Sequence, residues 1–71
     1  MKTANIEIGA RVRLARKVRG LSQTEMSRRL GIVALPAYEA GRRTWTVEMV
    51  ARVVEIIGGV TVADIVPRLD G

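Results

Sequence analysis

Arginine is the residue type in this chain with the most chemistry to offer. Ten of the twelve basic side chains are Arg, against seven acidic ones, for a formal charge of +5. A guanidinium is permanently charged and its planar fork matches carboxylate and phosphate oxygens, so anion binding is the chemistry these residues suit. Their placement is uneven: residues 1–43 hold ten basic and three acidic side chains, residues 44–71 two and four. A basic half beside a mildly acidic half points to one face made for a polyanion, most simply nucleic acid. A solvated basic surface is the plain alternative. Bond-making chemistry has little to work with. The sequence contains neither His nor Cys, which removes a disulfide framework, a Cys/His zinc site and any His base or Cys nucleophile. No Gly-rich loop leads into Lys-Ser/Thr, as a phosphate-cradling loop requires. The expectation is a non-enzyme with no catalytic residue, metal or cofactor.

Such side chains need elements to position them. Seventy-one residues allow one domain, 1–71, and a hydrophobic content of 48% argues against disorder. No apolar run approaches the roughly 18–20 residues of a membrane span, and no signal-peptide architecture opens the chain. A cytoplasmic protein without a membrane partner is expected, and the lack of cysteine is compatible with a reducing compartment. Glycines and two prolines divide the chain into segments with helical apolar spacing. The spacing predicts an all-α fold, a compact bundle of four to five short helices over 6–19, 23–30, 34–40, 47–57 and 62–66. In the first, Ile8, Val12, Ala15 and Val18 share a face, with Arg13, Arg16 and Lys17 on the other side. Ser22 to Glu25 reads as a capping box opening the second, with Met26 and Leu30 inward. Pro36 is tolerated only in the first turn of the third, which leaves two turns at most. Thr46 caps the fourth, whose apolar face Val47, Val50, Ala51, Val54, Ile57 is matched by Met49, Val53 and Ile56 on the far side. A helix apolar around most of its girth is central or shared with a partner. Residues 60–66 suit either a short capped helix, the preferred reading, or a short strand.

Taken together, these residues resemble the Cro/lambda-repressor type of helix-turn-helix, the XRE family. The likeness is carried by Ile8-Gly9, Val12-Arg13, Arg16, Gly20-Leu21-Ser22-Gln23, Glu25-Met26, Leu30-Gly31, Tyr38-Glu39, Gly41-Arg42-Arg43 and the apolar helix ending at Ile57-Gly58. It covers about residues 6–66. The resemblance implies a five-helix, lambda-repressor-like bundle whose second and third helices form the helix-turn-helix. It also implies an ion pair between Arg16 and Glu39. Gln23 and the adjacent Thr24 stand where the family meets the DNA backbone, and Arg42 and Arg43 match positions that meet phosphates. Val33, Ala34 and Ala37 fall on the segment expected to enter the major groove.

That segment departs from the family pattern. Only seven residues separate Gly31 from Glu39, which is short for the family, and the usual Ser or Thr that starts the helix is missing. Ile32 to Ala37 contain no side-chain hydrogen-bond donor or acceptor, whereas direct base readout needs such groups. Val33 or Ala37 could touch a thymine methyl; specificity would otherwise come from DNA shape, or the segment would simply be core. Trp45, where the family often has proline, either covers the core or contacts a partner. Two functions follow. One is a small DNA-binding transcriptional regulator of phage-repressor or antitoxin type. It would bind double-stranded DNA as a homodimer, with Met49, Val53, Ile56, Val60 and Val62 as the dimer or partner surface. The alternative is a protein-binding module of the same fold that has lost base readout and works through a toxin or an activator, using the third helix and Trp45.

Overall fold

The cap signals in the sequence convert almost one for one into helix ends. In a computed structural model that describes residues 3–67, five α-helices follow in order: α1 Thr3–Val18, α2 Gln23–Leu30, α3 Leu35–Glu39, α4 Val47–Ile57 and α5 Val62–Ile65. The described residues contain no strand, so 60–66 is the helix of the two readings. The expected domain 1–71 extends outside the described residues at both ends. Helix α1 starts three residues earlier than its apolar spacing suggests and ends one residue sooner; α3 and α5 are shorter than expected by one or two residues.

Caps explain the starts. Ser22 Oγ accepts from Glu25 N at 3.0 Å, and Thr46 Oγ1 from Met49 N at 3.1 Å. At α5 the box is reciprocal: Asp64 Oδ2 accepts from Thr61 N at 2.8 Å while Thr61 Oγ1 accepts from Asp64 N. The expected box at Ser22 is only half made. The Glu25 carboxylate turns away from Ser22 to Arg28 and Arg29, three and four residues on, because two guanidiniums outcompete one backbone amide for it. Helix α3 has no side-chain cap at Ala34, and Pro36 sits in its first turn.

The core consists of Ile8, Val12, Met26, Leu30, Leu35, Trp45, Val50, Val53, Ile57 and Ile65. Two face assignments need correction. On α4 the inward line is Val50, Val53 and Ile57, so Val53, expected at a partner surface, is wholly buried, while Val47 is 87% exposed and Ala51 is also outward. On α1, Val18 is 78% exposed instead of inward. Both helices carry apolar residues on more than one side, and the neighbours decide which side is covered: α4 packs against α1, α2 and α5, and α1 packs most extensively against α3.

That last contact depends on Gly9. A Cβ there would stand 2.6 Å from the Tyr38 carbonyl oxygen and collide with Glu39 backbone too. Absence of a side chain lets α1 lie directly on the end of α3. Trp45 closes the same junction from the loop. Its indole Nε1 donates to Tyr38 O at 2.9 Å, its backbone N–H donates to Asn5 Oδ1 at 3.1 Å, and its ring meets Tyr38 edge-on with centroids 5.5 Å apart. Of the two roles open to Trp45, the ring fills the core one.

Candidate nucleic-acid interface

The Arg16 side chain is buried, so its charge has to be answered inside the protein. Arg16 Nε donates to Glu39 Oε2 at 2.8 Å and Nη2 to Oε1 at 3.2 Å, a two-pronged pair joining α1 to the end of α3. The remaining prong, Nη1, donates to Leu21 O at 2.7 Å, which ties in the turn before α2. Glu39 Oε1 also accepts from Gln23 Nε2 at 3.0 Å, so the first residue of α2 joins the same carboxylate. Three helices thus meet at one buried ion pair, and no buried side-chain polar atom among the described residues lacks a partner.

Over this pair lies a cleft of about 240 Å³ bordered by Arg13, Gln23, Pro36, Glu39 and Ala40. Arg13 is the contributor that sequence reasoning did not assign. The signal was present: Arg13 precedes Arg16 by three residues, so it must share that side of α1 one turn earlier. Its side chain is exposed and makes no hydrogen bond among the described residues. The cleft presents the Arg13 cation beside the side-chain amide of Gln23, the first residue of α2, whose Nε2 is shared with Glu39.

The other expected residues do not line this cleft. Thr24 is exposed on the first turn of α2. Val33 is 99% exposed at the tip of the α2–α3 turn, whereas Ala34 and Ala37 are half-buried. The segment 32–37 is therefore divided: Leu35 is core, Ile32 packs against the core, and Val33 and Pro36 face outward. Arg42 and Arg43 are exposed in the loop after α3, beginning where Arg42 N bonds Ala37 O at 2.9 Å. Their guanidiniums are unengaged among the described residues. Arg28 and Arg29 are not: both hydrogen-bond to Glu25, and these bonds, that of Arg28 first, hold the Glu25 carboxyl below its ordinary value while raising that of Arg28. Of the residues assigned to a dimer surface, Met49, Ile56 and Val60 are half-buried against the core, Val53 lies inside it, and Val62 alone is exposed.

The chain matches no protein-family model, and comparison with curated proteins and with solved structures found no match.

Proposed function

We propose that α2 and α3 act as a helix-turn-helix that binds double-stranded DNA, and that the protein is a small transcriptional regulator of repressor or antitoxin type. The observation that carries this reading is the cleft shared by Arg13, Gln23 and the outward side of α3, held together from below by the Arg16–Glu39 pair. A rigid set of donors at a helix N-terminus beside uncommitted arginines suits phosphate. Arg42 and Arg43 extend the cationic surface past the end of α3. The exposed part of the turn offers only Val33 and Pro36 to bases, so discrimination is expected from DNA shape and methyl contact rather than from hydrogen-bond readout.

Pairing of two copies is part of the proposal, because a single short helix-turn-helix covers only one half-site. The dimer patch is better assigned to Val47, Ala51 and Val62, which border an apolar cleft of about 280 Å³ between α4 and α5. A cytoplasmic location accompanies this reading. For membranes, no helix of the described residues is long and apolar enough to cross one.

One observation favours the alternative of a protein-binding module acting through a toxin or an activator: Val33, fully exposed and apolar, stands at the tip where a base-reading residue is expected. Trp45, buried in the core, only borders the α4–α5 cleft. Binding to mixed-sequence duplexes across a salt series separates the two. A steep fall in affinity with salt, with one upstream sequence bound more tightly, supports the regulator. Absence of binding at low salt overturns it.

A further inference from the structure

Helix α1 shows the solvent a second apolar strip that the duplex reading does not use. At 3.6 residues per turn, Leu14 and Val18 each lie about 160° around the helix from Arg16, on the far side from α3. Leu14 is 66% and Val18 78% exposed. They are four residues apart, one above the other, and form one wall of a cleft of about 490 Å³, closed on the opposite side by Gly58, Val60 and Ile65.

The charges around this cleft identify what it suits. Arg11 and Arg19 stand at its two ends, and each is held across the rim by a carbonyl: Arg11 Nη1 donates to Asp64 O at 3.4 Å, and Arg19 Nη2 to Gly58 O at 2.9 Å. Each guanidinium has five N–H donors, so most of them stay free after these bonds. Arg11 has a weak ion pair with Glu7 at 3.5 Å, both side chains being nearly half exposed. The one acid lining the cleft, Asp64, already has Oδ2 committed to Thr61 N. The result is an apolar floor between two cations, eight residues apart and so about 12 Å along the helix axis.

We propose that this cleft docks an amphipathic helix of another protein, one whose apolar stripe is flanked by Asp or Glu about two turns apart. Apolar anchors enter between Leu14 and Val60, and the carboxylates meet Arg11 and Arg19, the usual arrangement of a helix in a groove. A second copy of this chain fits poorly here, since two-fold pairing across α1 gathers the Arg11 and Arg19 cations of both copies at one interface. The strip lies more than a quarter turn around α1 from Arg13, so the docking surface and the proposed duplex surface are separate, and neither proposal depends on the other.

The test uses the whole chain and a synthetic amphipathic peptide of about 16 residues, Leu on one face and Glu flanking it, titrated by calorimetry. Binding in the micromolar range is expected, weakened at least about tenfold when every Glu is replaced by Lys. Leu14→Gln with Val18→Gln, both at exposed positions, should abolish binding while leaving the urea midpoint and duplex affinity unchanged. No binding of the acidic peptide overturns the proposal. So does equal binding of the Lys peptide, or binding that survives the double substitution. If the double substitution instead removes concentration-dependent self-association in sedimentation, the occupant is a second copy and the proposal is wrong. Loss of duplex affinity with it would assign the strip to nucleic acid, which also overturns the proposal.

Discussion

Gln23 and Arg16 donate to the same oxygen of Glu39, Oε1, at 3.0 and 3.2 Å from different helices. One carboxylate therefore orients both the side chain that opens α2 and the side chain that fastens α1 to α3. An interface built above it inherits its geometry from a single buried residue.

Replacing that residue should be expensive. Glu39→Ala leaves the Arg16 guanidinium buried without its partner, and loss of one member of a buried pair destabilises by roughly 3–5 kcal/mol. Glu48→Ala, on the exposed side of α4, should stay within about 0.5 kcal/mol. Urea unfolding of both variants checks this; equal costs would refute the clamp.

The close approach of α1 to α3 gives a second expectation. Gly9→Ala forces a methyl against backbone carbonyls rather than a movable side chain, and overpacking of this kind typically costs about 1–3 kcal/mol. Gly20→Ala makes a useful comparison, since no atom lies near a Cβ there and only its φ of 72° resists the substitution. The Gly9 variant should melt lower than the Gly20 variant. The reverse order would mean that α1 and α3 can separate without penalty.

Arg13→Ala and Arg43→Ala should each weaken duplex binding on all sequences alike and lower the steepness of the log affinity against log salt plot by about one. A change confined to sequence preference would instead assign the affected arginine to base readout. Arg28→Ala, already engaged by Glu25, should alter the slope less than either.

Acid should weaken α2 through Glu25. Its carboxyl titrates below the ordinary 4.5 in the folded chain because Arg28, then Arg29, hydrogen-bond to its charged form. A group with a depressed folded pKa contributes stability above its unfolded value and loses it as pH falls through the folded one. The pH dependence of unfolding below 4.5 should therefore be shallower in Glu25→Gln than in the parent. The effect is small because the site is open to solvent. Identical profiles would show that the two arginines do not discriminate between the protonation states.

Much of the fold was legible because it is written in local signals. Ser22, Thr46 and Thr61 mark helix starts through short-range bonds, and Gly31 and Gly58 mark ends through positive φ. What could not be read locally was which side of an apolar helix is covered. Val47 and Val53 are the same residue type on one helix, yet one is exposed and the other buried. The choice is made by α1, α2 and α5, which lie elsewhere in the sequence. Glu25 was misread for a related reason: its backward partner at Ser22 and its forward partners at Arg28 and Arg29 are all local, and only their relative strength decides. In the candidate site, the Arg16–Glu39 pair followed from the motif and the side of Arg13 from its spacing to Arg16, whereas the cleft they share with Gln23 required knowing that α1, α2 and α3 converge.

Trp45 is the chain's one tryptophan, and its position gives the molecule a built-in optical reporter. Trp45 borders the α4–α5 cleft with Val47, Ala51 and Val62, and it does not line the cleft of Leu14 and Val18. Pairing of two copies over the first cleft should shift its emission, while a helix seated in the second should leave the spectrum as it was. One unlabelled sample can thus tell which of two surfaces has been filled.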